Sequence, residues 1–267
     1  MGAEAFTAAD IPSFLTLAER EGWICEAWEL EFLLATFGQG CRVWRENGGA
    51  GGFVTSIGYG KSGWIGNLLV VPEMRRKGIG RTLMQAAVLA LLHAGVETVW
   101  LTASQQGAEL YRRLGFMQVD TVQRWVGEGK GNAAPPAAPL DLEWLRAIDR
   151  AGWGDRRDRL LQLASSRGAL LSTSGAFLCK QRWGSGVQIG PWGCVIPAQA
   201  PSLLDAALGA AQGRVFLDVP AGNHAAAQLL SSRGFSVKGQ TALMYLGAPP
   251  PYQPGNIFAL GSMGSMG

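Results

Sequence analysis

Histidine is nearly absent from this chain of 267 residues, and the two present, His93 and His224, are isolated. The four cysteines (Cys25, Cys41, Cys179 and Cys194) form no C-x-x-C pair. With no ligand set at metal-site spacing, no metal is expected, and the cysteine usage points to reduced, mostly buried thiols in the cytoplasm. Also missing are an apolar run of membrane-spanning length and a charged stretch leading into an apolar core at the N-terminus, so neither a membrane nor an export route is expected. Charge of one sign is scarce too: 23 basic residues against 20 acidic ones leave a net +3, too little to specify nucleic acid. What the chain does have is 48% hydrophobic residues and enough length for two ordinary domains.

The stretch that organises the chain runs from Trp64 to Arg81. An apolar run from Ile65 to Val71 reads as a strand and stops at Pro72; Gly78-Ile79-Gly80 then opens an alanine- and leucine-rich amphipathic helix over 79–94, with Gly95 as its C-cap. At such a strand–glycine–helix junction, backbone N–H groups converge and the helix dipole adds positive potential, which suits a phosphate or pyrophosphate. Arg75, Arg76, Lys77 and Arg81 add cations around it. His93, in the last turn of that helix, is given no chemistry.

Upstream, the spacing predicts helices over 11–20 and 29–37, and strands over 41–45 and 52–59 joined by the turn Glu46-Asn47-Gly48-Gly49. Downstream come a strand at 97–101 and the run Leu110-Tyr111-Arg112-Arg113-Leu114-Gly115-Phe116. Residues 127–139 (GEGKGNAAPPAAP) carry neither periodicity nor bulk and read as a linker. Helices are then predicted over 140–148 and 156–164, and strands over 177–182 and 187–196.

The spacing Arg75-x-x-Gly78-x-Gly80 after Leu68-x-Val70-x-Pro72, followed by Leu110-Tyr111-x-x-x-Gly115-Phe116, resembles the signature of the GNAT acetyltransferases. The resemblance implies acetyl-coenzyme A as co-substrate, its pyrophosphate held by Arg75, Arg76, Lys77, Gly78, Ile79, Gly80 and Arg81. It further implies that backbone groups of Leu69, Val70 and Val71 meet the pantetheine arm and thioester, on a strand splayed from its neighbour. Tyr111 stands where the family has its general acid for the leaving thiolate. Trp23 to Trp28 corresponds to the cover of the acceptor side, which makes Glu26 and Trp28 candidates for substrate contact. Two departures matter. Many relatives carry a glutamate base where this chain has Gly66, so Glu26, Glu29, Asp218 or a chain of waters is left as the base; and the asparagine that often precedes the tyrosine helix is missing, with Ser104, Gln105 or Gln106 in its place.

An internal repeat suggests a second such unit. Leu229 to Phe235 resembles Leu110 to Phe116, and Gln188-Ile189-Gly190 resembles Trp64-Ile65-Gly66, but Pro197 is followed by no cations or glycine pair and Leu230 replaces Tyr111. The whole resembles a bacterial subgroup of tandem GNAT proteins with a degenerate C-terminal unit, from which the ending Ser262 to Gly267 departs.

The expectation is therefore an α/β (α+β) protein of two tandem GNAT-like units, each a mixed, mostly antiparallel sheet flanked by helices. Residues 1–127 form the catalytic domain, 128–139 the linker and 140–267 the degenerate unit. The expected activity is acetyl transfer to a small-molecule amine, by a monomer or homodimer. The degenerate unit is expected to supply part of the acceptor pocket through Asp218, placed at a sheet edge by the following Pro220, and Asn223, which otherwise reads as a helix N-cap. A non-catalytic acyl-coenzyme A sensor is the alternative, favoured by the glycine at position 66. Nucleic-acid binding is disfavoured, because no aromatic platform accompanies the cations.

Overall fold

The computed structural model describes residues 2–46, 48–131, 141–184 and 186–267. Its internal contacts divide the chain into two compact units: Met1–Leu101 with Leu246–Ala248 and Gly264–Met266, and Thr102–Tyr245 with Pro249–Met263 and Gly267.

The first unit begins with β1 (Gly2–Ala5) and two helices, α1 (Ile11–Arg20) and α2 (Ala27–Phe37). Ahead of α1, the Asp10 carboxylate accepts hydrogen bonds from the Thr7 backbone N–H and hydroxyl, a local fold of the chain that fixes where the helix starts. Strands β2 (Arg42–Glu46), β3 (Gly49–Gly58), β4 (Ser62–Val70) and β5 (Thr98–Ala103) follow, with α3 (Ile79–His93) between the last two. The sheet order is β1-β2-β3-β4-β5, antiparallel until the parallel β4–β5 pair that the α3 crossover requires. Leu83, Met84, Ala87 and Leu91 repeat at helical spacing and form the buried face of α3. A cluster of Phe6, Phe14 and Phe53, with centroids 5.2 to 6.0 Å apart, anchors the core beside α1.

The second unit contains α4 (Gln105–Arg113), β6 (Met117–Lys130), α5 (Leu142–Trp153), α6 (Asp158–Arg167), β7 (Ala169–Thr173), β8 (Ala176–Trp183) and β9 (Gly186–Cys194). It continues through α7 (Ala200–Gly209), β10 (Gln212–Pro220), α8 (His224–Ser232), β11 (Ser236–Gly247) and β12 (Ile257–Ala259). Its sheet runs β11-β6-β10-β9-β8-β7, with β12 on β9, and only the β9–β10 pair is parallel. Trp192 and Phe258, with ring centroids 5.0 Å apart, sit in its core with Leu204, Leu208 and Leu217.

The helices and strands foreseen from periodicity are present, within a few residues of the expected ends; β1, β7, α7, β11 and β12 had not been foreseen. One expectation is corrected. The segment 127–130 is not linker but the end of β6, laddered to β10 from Val122–Pro220 through Lys130–Gln212. Its glycines are there for closeness: a Cβ on Gly127 would stand 2.7 Å from the Phe235 ring, and one on Gly129 would stand 2.3 Å from the Ala211 carbonyl oxygen. The rest of the expected linker, residues 132–139, lies outside the described residues. By internal contacts α4 and β6 group with the second unit, β6 lying between β11 and β10.

Candidate active site

In the first unit β4 and β5 pair only from Ser62–Thr98 to Trp64–Trp100. Beyond that point β4 continues to Val70 against β3 alone, with Leu69 opposite Phe53 and Val70 opposite Gly52. The parting coincides with a bulge: Asn67 takes a positive φ of 55°, the β3–β4 register shifts between Phe53 and Thr55, and the Asn67 amide donates to the Thr55 hydroxyl. The splayed strand expected before Pro72 is thus present, and Leu69, Val70 and Val71 lie along it.

The turn after β4 is built by its own backbone. Val71 N–H donates to the Gly51 carbonyl, and a single tight helical turn over 72–74 leads to Arg75. Arg76 then takes a φ of 62° and Gly78 one of 81° as the residue capping α3. No side-chain hydrogen bond caps this helix, as is the case where helix N-termini serve as anion sites. Nothing lies within 4 Å of a Cβ built on Gly78. The glycine is therefore demanded by its dihedral, and the space beside it is open. Arg76, Lys77 and Arg81 are exposed around this helix end. Arg75 does a different job: its Nε donates to the Val70 carbonyl at 2.9 Å and its guanidinium pairs with Glu21, tying the turn to the end of β4 and to α1. Ile79 is buried and anchors the helix start, with Gly80 next to it. An uncapped helix end, open space and three outward cations fit the pyrophosphate of acetyl-coenzyme A.

The other foreseen residues of this unit are on α2. Glu26 immediately precedes the helix and accepts from Trp28 Nε1 at 2.8 Å, and both side chains are half-buried. Glu29, one turn on, is buried, and its carboxylate accepts from the Ser265 hydroxyl. Ser265, Tyr59 and Asn67 were not singled out from the sequence; they meet around position 66. A Cβ on Gly66 would stand 2.3 Å from the Gly264 carbonyl oxygen and 2.6 Å from Ser265 Cα. The missing glutamate side chain is thus replaced by main chain.

In the second unit, Ser104 caps α4 by accepting from the Gly107 N–H at 3.2 Å. Tyr111, on the same helix, is buried against Phe116, and burial pushes its phenol above the ordinary tyrosine value. Asp218 is not at a sheet edge: β10 is laddered to β6 along its whole length and touches β9 as well. Its side chain is completely buried, and both oxygens accept from Arg124 at 2.8 Å, a partner 94 residues away in sequence. Asn223 caps α8 by accepting from the Ala226 N–H, and its amide donates to the carbonyls of Gly255 and Ile257.

Comparison with known proteins agrees with this geometry. The model of an acetyltransferase (GNAT) domain matches residues 38–118, and a second acetyltransferase (GNAT) model matches residues 145–259. The chain belongs to the GNAT acetyltransferases, a family that uses acetyl-coenzyme A, with two such domains in tandem. An N-alpha-acetyltransferase of Sulfurisphaera tokodaii is 32% identical over 84 residues, 30% of this chain and 50% of that protein, so the chain spans about half the length of this curated relative. Among solved structures, one from Pyrococcus horikoshii, described as a candidate acetyltransferase, superposes with a TM-score of 0.86 at 21% identity over 99% of this chain and 95% of its own. A GCN5-related N-acetyltransferase from Sphaerobacter thermophilus gives 0.66 at 18% identity, over 94% and 97%. At these identities the two structures speak for the fold alone.

Proposed function

We propose that the first unit binds acetyl-coenzyme A through Arg76, Lys77, Arg81 and the N-terminus of α3, and that the acetyl group passes directly to the primary amine of a small molecule. The observation that carries this is the junction itself: β4 parts from β5 after Trp64 and leads into an uncapped helix behind a glycine with a φ of 81°. The amine lone pair attacks the thioester carbonyl carbon, the C–S bond breaks, the amine nitrogen loses a proton to a base and the thiolate takes one up. The chain's part is to hold donor and acceptor together and to stabilise the carbonyl oxygen with backbone N–H groups near Leu69 to Val71. Tyr111 is the candidate proton donor; its phenol is protonated at neutral pH, as an ordinary tyrosine's is, and burial shifts it further the same way. Of the candidate bases Glu26, Glu29 and Asp218, Glu29 is the one beside the position that lacks its glutamate.

The second unit is proposed not to bind the cofactor. Its tight turn at 197–199 carries no cation or glycine, and Gln199 instead accepts from the Thr173 hydroxyl and the Gly175 N–H. A contribution of Asp218 or Asn223 to the acceptor would have to come from groups already engaged with Arg124 and with the cap of α8. Thiol release from acetyl-coenzyme A, measured against a panel of primary amines, tests the activity. Release that depends on one class of amine supports the reading; binding of acetyl-coenzyme A without release for any amine would favour an acyl-coenzyme A sensor.

A further inference from the structure

We propose that Ser265 is a positioning residue for acetyl transfer: its hydroxyl holds the carboxylate of Glu29 beside the place that a side chain on residue 66 would fill. This rests on the transferase reading above, with Glu29 as the base, and adds the residue through which that base is aimed.

The turn Gly264–Met266 belongs to the first unit and fills the groove at Gly66, where a Cβ would stand 2.3 Å from the Gly264 carbonyl oxygen and 2.6 Å from Ser265 Cα. The Glu29 carboxylate, on α2, accepts from the Ser265 hydroxyl. One serine side chain thus separates Glu29 from the spot where the β-carbon of a glutamate at position 66 would lie. Glu29 and Ser265 are both buried, each 1% exposed. A carboxylate buried that deeply needs hydrogen-bond donors, and a donor that cannot turn away also sets the plane of the carboxylate. The helix alone does not set it, because a glutamate side chain turns about several bonds between Cα and its oxygens.

The donor is itself pinned on both sides. The N–H of Asn67, whose positive φ marks the bulge of β4, donates to the Gly264 carbonyl at 3.1 Å, and the Tyr59 hydroxyl donates to the Met266 carbonyl at 2.5 Å. Tyr59 directly follows β3 and Asn67 lies on β4, so both pins come from one strand pair. The peptides flanking Ser265 are therefore tied to the strand that carries Leu69 and Val70, and Ser265 passes that alignment on to Glu29. The Trp28 indole that donates to Glu26 sits only two residues along the same segment, a local contact that carries no such alignment. In the transfer, the proton that the amine nitrogen loses as its bond to the acetyl carbon forms passes to the Glu29 carboxylate. Ser265 keeps its own proton and takes no part in the covalent change.

A double-mutant cycle in the full chain tests this, read as thiol release from acetyl-coenzyme A with propylamine, benzylamine and glycinamide as acceptors. Glu29→Gln should lower kcat by roughly 10²- to 10⁴-fold, the range of general base catalysis. Ser265→Ala should lower it by roughly tenfold, the worth of one hydrogen bond to a charged group, and neither variant should change the KM for acetyl-coenzyme A. Because Ser265 acts through Glu29, the double variant should be no slower than Glu29→Gln alone. A residue that merely shapes the site slows both backgrounds alike, so additive losses overturn the proposal, as does an unchanged kcat in Ser265→Ala. If Ser265→Ala does not fold, Tyr59→Phe carries the same cycle: it releases the Met266 carbonyl and should lower kcat by about threefold in the native background and not at all beside Glu29→Gln. Equal effects in the two backgrounds overturn the proposal. Full release in Glu29→Gln removes it while leaving the transferase reading standing, whereas a native chain that binds acetyl-coenzyme A and releases no thiol with any amine overturns both.

Discussion

The two units make the same strand–turn–helix–strand crossover and finish it differently. In the first, β4 parts from β5 after Trp64, bulges at Asn67 and runs into a cationic turn that ends in Gly78 with a φ of 81°. In the second, β9 pairs with β10 at Val187 and Gln188 and with β12 further on, at Trp192 and Gly193, while the Leu260 N–H donates to the Asp218 carbonyl at 2.8 Å. One parting is crossed by a turn; the other is flanked by a strand and sealed into a core with Trp192 and Phe258. On the proposed reading, a duplicated fold loses a binding site most completely when main chain fills the gap, since deleting loop cations alone would leave the cleft behind.

The sharpest break in that comparison lies at the repeated tyrosine position. Tyr111→Phe should lower kcat by roughly 10²- to 10⁴-fold, the range of general acid catalysis, with the KM for acetyl-coenzyme A unchanged; Leu230→Phe, at the matching place, should leave turnover alone. Steady-state kinetics on the two variants decides it. Next comes the ion pair of the second unit. Asp218→Asn should destabilise the protein by about 3 kcal/mol, the low end for a buried pair because Arg124 remains 28% exposed, as read from denaturant midpoints.

The two matching glycines provide a graded pair. Gly190→Ala strains a φ of 151° and pushes a methyl against the Leu260 carbonyl, one residue past β12, and should cost about 3 kcal/mol, whereas Gly66→Ala meets the turn at 264–265, which is in no ladder, and should cost about 1 kcal/mol. Equal losses in thermal unfolding would mean that the turn is as fixed as the strand. The smallest effect is chemical. Burial raises the Cys41 thiol to about 11 and the Cys179 thiol to about 12, so in the native protein a maleimide should label half-buried Cys25 alone. As denaturant rises, labelling of Cys41 before or after Cys179, read by mass spectrometry, reports which core opens first.

What was legible in the sequence was local. Gly78, Gly80 and the four cations lie within seven residues at the end of an apolar strand, so the turn could be read with nothing else in view. Asn223 was legible as a cap for the same reason. The groove at position 66 was not, because Gly264 and Ser265 reach it from nearly 200 residues away; only the glycine itself, followed by an asparagine suited to positive φ, marked the spot. Asp218 was misplaced because Pro220 suggests a sheet edge, while the ladder from β6 and the Arg124 that buries the carboxylate are contacts between distant segments. Gly127 and Gly129 imitate a linker in composition, and only the Phe235 ring and the Ala211 carbonyl show why glycine is needed there.

The central claim is that one unit keeps the cofactor site and the other has closed it. Titration calorimetry with acetyl-coenzyme A tests this most directly. The account predicts one site per chain, lost in Gly78→Val, where a branched side chain both opposes the φ of 81° and enters the open space at the start of α3. Two sites per chain, or undiminished affinity in Gly78→Val, would contradict it.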